Sequence, residues 1–309
     1  MLKRISAALI GLSLVFTVVA CGDDDNTAGS TAGQKAAAEQ AAFPVTIQDV
    51  TIPKRPEAIV SLSPSSTETL FAIGAGDQVI AVDKNSNYPA AAPKGDLDAY
   101  KPNVEAIAGK KPDLVIVSDD INDVVKGLTA LDIPVLVEAA PTDLDGVYAQ
   151  IEELGSATGH LDKAKKVAAG MAEEIDEIVG STDAKGLSYY YELDNTYYSQ
   201  TSKTFLGTVI GLLGLVNIAD EAGGASDYPQ LSAEHIIKKD PHLILLADTK
   251  CCQQSAATVK ARPGWADLKA FANGGVVELD DDIASRWGPR LVDLLQAVAD
   301  AAGKVKAAA

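Results

Sequence analysis

The sequence predicts an α/β fold of two lobes, each with a central, mostly parallel sheet flanked by helices, joined by a single long helix. Short β-branched runs alternate with longer stretches of helical period, the alternation that gives parallel strands with crossover helices. Two such sets flank one uninterrupted amphipathic stretch, and a fifteen-residue pattern occurs once in each set.

At the N-terminus, Lys3 and Arg4 precede a nearly unbroken apolar run, Ile5 to Val19, which ends at Ala20-Cys21 before Gly22-Asp23-Asp24-Asp25. That layout is a secretory signal, too short to span a bilayer comfortably. Val18-Val19-Ala20-Cys21 resembles the bacterial lipobox. Residues 1–20 are therefore expected to be a lipoprotein signal peptide, with Cys21 lipidated on the outer face of the cell membrane. Gly22 to Gln40 is rich in Ala, Gly, Ser, Thr and Asp without apolar period, so residues 21–43 read as a flexible tether.

Residues 44–160 form the first lobe, with strands expected at Ala58–Leu62, Val79–Val82, Leu114–Val117 and Pro134–Val137. Residues 161–182 are the bridging helix. There Ala168, Met171, Ile175 and Ile178 recur at helical spacing among Lys163, Lys165, Lys166, Glu173, Glu174 and Glu177. Residues 183–309 form the second lobe, with strands at Ser188–Leu193, Leu243–Leu246 and Val276–Leu279. Alternate members of Tyr189-Tyr190-Tyr191 are expected to enter its core.

The internal repeat lays Asn103 to Val117 over Ser232 to Leu246, 129 residues on. Each copy has a capping residue, a glutamate two places later, a short helix, a proline seven residues after the glutamate, and an apolar strand. The proline stops the helix and the strand re-enters the sheet. The lobes are thus related, and Glu105 and Glu234 occupy equivalent places.

Composition narrows the functions. The chain is 47% apolar and 22% charged, and its net charge of −17 becomes more negative once Lys3 and Arg4 are removed. Such a surface repels phosphate backbones, so nucleic acid is not an expected partner, and membrane association should come from a covalent anchor. There is no His-Glu-x-x-His, no Gly-x-Ser-x-Gly and no phosphate-binding Gly-x-x-x-x-Gly-Lys. His160, His235 and His242 each fall near a helix end or strand start, so an extracellular enzyme is the weaker reading.

Three segments carry a family resemblance. Ile59 to Gly76, which includes Ser63-Pro64-Ser65-Ser66-Thr67-Glu68, resembles the first strand and helix of the substrate-binding proteins of bacterial transporters for ferric siderophores, haem and cobalamin. Lys111-Pro112-Asp113-Leu114-Val115 resembles their later strand entry, and Gly288-Pro289-Arg290-Leu291-Val292-Asp293 their closing helix. The resemblance runs from about Arg55 to Gly303. It implies a monomeric binder in an ABC importer, without catalysis or resident cofactor, whose partners are permease subunits and a small ligand. A ferric siderophore or other iron chelate is expected first, with cobalamin or haem as alternatives. A ligand-sensing lipoprotein is a further reading from another class.

In that family a glutamate near each lobe tip pairs with permease arginines, which the resemblance assigns to Glu105 and Glu234. An acid in a first helical turn is also favoured by the helix dipole alone. Open α/β sheets bind ligands at the C-terminal ends of their strands. The cleft candidates are accordingly Ser65, Tyr88, Tyr198, Arg286 and Trp287, with arginine suited to carboxylate or catecholate oxygens and the aromatic rings to a flat ligand. Ser65-Ser66-Thr67-Glu68 reads as a capping box, which leaves Glu68 a structural role. With Cys21 lipidated, Cys251 and Cys252 have only each other as partners in an oxidising compartment, and a vicinal disulfide is expected. No metal site is expected from these cysteines.

Overall fold

The computed structural model describes residues 43–222 and 226–308. The signal peptide, Cys21 and nearly all of the tether lie outside the described residues. Among the described residues no helix is long and apolar enough to cross a membrane.

An antiparallel hairpin, β1 (Val45–Ile47) and β2 (Val50–Ile52), precedes the first lobe. Gln48 and Asp49 make its turn at φ of 51° and 66°. Val-Thr-Ile alternates in each strand, but over only three residues and around Gln48-Asp49 rather than Asn-Gly, which is too little for a hairpin to be expected from the sequence. The lobe continues as β3 (Ile59–Leu62), α1 (Pro64–Ala72), β4 (Val79–Val82), α2 (Val104–Ala108), β5 (Leu114–Val117), α3 (Val124–Thr129), β6 (Val135–Val137) and α4 (Leu144–Thr158). The single long helix α5 (Leu161–Ser181) then leads into the second lobe. That lobe contains β7 (Ser188–Glu192), α6 (Phe205–Gly211), β8 (Val216–Asn217), α7 (Ala233–Lys239), β9 (Leu243–Leu246), α8 (Ala256–Lys260), α9 (Lys269–Ala272), β10 (Val276–Glu278) and α10 (Leu291–Ala308).

Both lobe sheets are parallel, in the orders β4-β3-β5-β6 and β10-β9-β7-β8. Numbered within its own lobe, each reads 2-1-3-4, so the sequence repeat is matched by a repeated topology. The matching helices α2 and α7 are capped by Asn103, which accepts from the Ala106 amide, and Ser232, which accepts from the His235 amide. Each copy leaves its helix through a left-handed residue just before the proline, Lys111 at φ 57° and Asp240 at φ 45°. A residue ahead of proline is barred from continuing a helix.

Helices cover both faces of each sheet, so successive strand residues enter different cores. Ile59, Leu114, Ile116 and Leu136 face one core, and Val60, Leu62, Val115 and Val117 the other. This corrects the expectation for the tyrosine triplet. Tyr189 and Tyr191 enter one core and Tyr190 the other, all three with no exposed surface, because parallel strands are buried on both faces.

One of these cores runs through both lobes and α5. Ala164, Ala168, Met171, Ile175 and Ile178 pack in it with Ile151 and Leu154 of α4 and Leu294, Leu295 and Val298 of α10. The approach of α4 to α5 requires Gly155, where a Cβ would stand 2.3 Å from that of Ala164.

Candidate functional site

In each sheet the winding direction reverses between the lobe's first and third strands, which is where open α/β sheets place their ligand crevice. A cavity of about 460 Å³ lies at that point of the first lobe and is closed from the other side by the second. The first lobe contributes Ser63 and Ser65 after β3, Asp83, Lys84, Asn85 and Asn87 after β4, Tyr100, and Ser118 after β5. The second contributes Asp281, Asp282, Ser285, Arg286 and Trp287 after β10. A cavity of about 570 Å³, bordered by Lys54, Pro112, Asp113 and Ile133, lies instead where β5 and β6 begin, at the end of the sheet that this topology does not use.

Hydroxyl groups shape the first-lobe wall. Ser63 caps α1 by accepting from the Ser66 amide at 3.3 Å, and Pro64 takes the first helical position. Thr67 Oγ1 lies 2.8 Å from Ser61 Oγ and 3.0 Å from Ser86 Oγ. Asp83, fully buried, accepts from the Ser86 hydroxyl and from the Asn85 amide.

Glu68 departs from the sequence reading. The cap is Ser63 rather than Ser65, and the carboxylate serves no capping box. It is 3% exposed and accepts from Arg286 Nη1 at 2.6 Å and from Arg290 Nε and Nη2 at 2.8 and 2.5 Å. Arg286 also donates to Asn85 O, Asn87 Oδ1 and Asp282 Oδ1 at 2.8, 2.9 and 2.7 Å. Asn87 Nδ2 reaches Asp282 Oδ2 at 3.0 Å, and the Trp287 amide donates to Ser65 Oγ at 3.2 Å. A buried clasp of charged side chains therefore joins the two lobes along the cleft floor.

Of the five cleft candidates, Ser65, Arg286 and Trp287 meet at this cavity. Arg286 borders it with its guanidinium already occupied by Glu68 and Asp282. Tyr88 lies outside the lining, with the Arg290 guanidinium 4.0 Å from its ring centre. Tyr198 sits elsewhere on the second lobe, bridged to Gln230. Tyr100, 69% exposed and part of the lining, was missed because its loop lacks any period. The Asp281-Asp282 wall was missed because an acid run reads as solvated surface.

The equivalent place in the second lobe is filled. Glu192, ending β7, accepts both Nη groups of Arg262 at 2.6 Å. The guanidinium lies 4.8 Å from the Trp265 ring and 5.4 Å from that of Tyr197. Asp248, after β9, is fully buried beside Glu192, and burial together with that carboxylate pushes its pKa up to about 7. One guanidinium cannot neutralise two buried carboxylates, so the pair retains a proton.

Glu105 and Glu234 are both exposed in the first turns of α2 and α7. Cys251 and Cys252 are free thiols with Sγ atoms 2.7 Å apart.

Residues 59–283 match the profile of a family described as periplasmic binding protein. An uncharacterized ABC transporter substrate-binding lipoprotein of Bacillus subtilis, YvrC, is 31% identical over 91% of each chain. A cobalamin-binding protein of Halobacterium salinarum is 31% identical over 87% of this chain and 77% of its own. Among solved structures, the periplasmic vitamin B12 binding protein BtuF of Vibrio cholerae superposes with a TM-score of 0.67 at 26% identity, covering 82% of this chain and 98% of that one.

Proposed function

The chain belongs to the periplasmic binding protein family, in the group serving iron, haem and vitamin B12 importers, and from that premise we propose that its cargo is a corrinoid of the cobalamin type. The observation that carries this reading is the charge state of the cleft. Its two cations are satisfied internally, Arg286 by Glu68 and Asp282, and Lys84 by Asp98 at 2.7 Å. Asp83, Asp281 and Asp282 remain along the walls. An anionic chelate would meet acids without a free guanidinium, and Arg286 was the residue expected to favour such a chelate. A macrocycle rimmed with carboxamides suits these walls. Its neutral amide groups can pair with neutral polar residues of the lining such as Asn85 and Ser118, while Tyr100 and Trp287 offer flat faces to the ring.

Binding proceeds without turnover, and Glu105 and Glu234 present the loaded protein to permease arginines. Cys21 carries the lipid that holds the monomer at the membrane. Calorimetric titration of the full chain with cyanocobalamin, haemin and ferric siderophores tests the cargo. Saturable binding of cyanocobalamin alone is expected. Binding of only a ferric siderophore would return the function to iron capture.

A further inference from the structure

Cys251 and Cys252 lie one strand end from the cleft and take no part in the proposed capture. Cys251 is exposed and Cys252 half-buried, with their sulfur atoms in contact. Their loop follows β9 and is fastened to the acid turn after β10. Asp281 accepts the Cys251 amide at 2.8 Å, the Lys250 amide at 2.9 and 3.0 Å, and the Thr249 hydroxyl at 2.8 Å. Lys250 Nζ bridges Asp280 and Asp282 at 2.7 and 2.8 Å. Asp281 and Asp282 are cleft wall, and Asp282 also holds Arg286 and Asn87 of the clasp.

We propose that Cys251-Cys252 is a thiol–disulfide exchange site for extracytoplasmic disulfides, and that closing its bridge stiffens the Asp280–Asp282 wall of the cleft. One thiolate attacks a disulfide of the oxidant, forming a mixed disulfide and releasing a first thiol. The neighbouring sulfur then displaces the second. Two S–H bonds become one S–S bond, and the two protons and two electrons leave on the two thiols of the reduced oxidant. Partial burial, then Cys252 and the Asp281 carboxylate, push the Cys251 thiol up to about 12. A thiol so held is protonated at neutral pH, so exchange at the pair is slow, and reduction of the bridge gains no stabilised thiolate. The bridge closes a ring through the Cys251–Cys252 peptide, directly after the Lys250 and Cys251 amides that donate to Asp281, and so reaches the wall through three backbone hydrogen bonds.

The test needs no cargo, so it is independent of the corrinoid reading. The full chain is equilibrated in reduced or oxidised glutathione, alkylated and mapped by mass, with backbone hydrogen exchange followed over residues 249–254 and 280–287. In oxidised buffer the Cys251-Cys252 segment is expected to be unalkylated, lighter by two hydrogens, and free of glutathione. Exchange at Lys250, Cys251 and the acid turn should slow by about tenfold. Cys251→Ser should abolish both changes. Two alkylated thiols or stable glutathione adducts in oxidised buffer would overturn the site. A bridge that leaves the 280–287 segment unchanged, or the same slowing in Cys251→Ser, would overturn the coupling.

Discussion

Glu68 has two guanidiniums of the second lobe on a carboxylate buried in the first, so much of the cleft floor depends on one side chain. Removing one partner of a buried ion pair costs about 3–5 kcal/mol, because the remaining charges stay desolvated. Glu68→Gln keeps the shape and removes the charge, and a loss of that size is expected in chemical denaturation, with a lower Tm. An unchanged Tm would show that solvent reaches the arginines. Tyr100 and Trp287 instead border the cavity. Tyr100→Ala and Trp287→Ala should each weaken cyanocobalamin binding by about tenfold, about 1.4 kcal/mol, in calorimetric titration, with little effect on Tm for the exposed Tyr100 and a lowered Tm for Trp287, which packs against the apolar core. At this scale the sequence was readable where the site sits on a motif. Ser65 and Trp287 flank legible helix starts, whereas the pairing of Arg286 with Glu68 joins residues 218 positions apart and leaves no local pattern.

Among elements, β3, β5, β7 and β9 were legible as aliphatic or aromatic runs, and the cap–glutamate–proline spacing located α2 and α7. The two-residue β8 and the β1-β2 hairpin are too short for a periodic signal, and the sheet holds β8 in place by pairing it with β7. The carboxyl pair at the ends of β7 and β9 was equally illegible, because Glu192 and Asp248 meet only after the strands align. It makes the second lobe sensitive to pH. The groups facing Asp248 are Glu192 and Tyr190 on β7, together with Arg262 after α8, which Tyr197 overlies. Its pKa rises from 3.8 in the unfolded chain to about 7 on folding. The folded state therefore binds the extra proton, and the resulting stability is full below pH 3.8 and lost as pH rises through about 7. Glu138, buried after β6 with Glu153 nearby, behaves alike up to about 8. Tm should fall between these limits in the wild type. Asp248→Asn should remove the earlier part of the decline and Glu138→Gln the later part. A wild-type Tm that is flat across that range would exclude the retained protons.

For the whole molecule, lobe motion is limited by three features that act together. The helix α5 contributes a full apolar face to a core shared by both lobes, the Glu68 clasp ties the cleft floor, and Gly155 lets α4 lie close against α5. A hinge would have to break packed apolar contacts and buried ion pairs at once, so the ligand can bias only a narrow range of lobe angles. Solution scattering with and without cyanocobalamin should show a change in radius of gyration below about 1 Å, and a larger closure would mean that the clasp opens in solution. Glu105 and Glu234 lie on topologically equivalent helices, exposed and without a side-chain hydrogen bond among the described residues, so the docking proposed for them can be tested apart from cargo binding. Replacing both by alanine should leave cyanocobalamin affinity within about twofold, since neither borders the cavity, while cellular uptake of the vitamin falls to background. Uptake that survives the double substitution would remove both residues from docking and favour a sensing role for the same cleft.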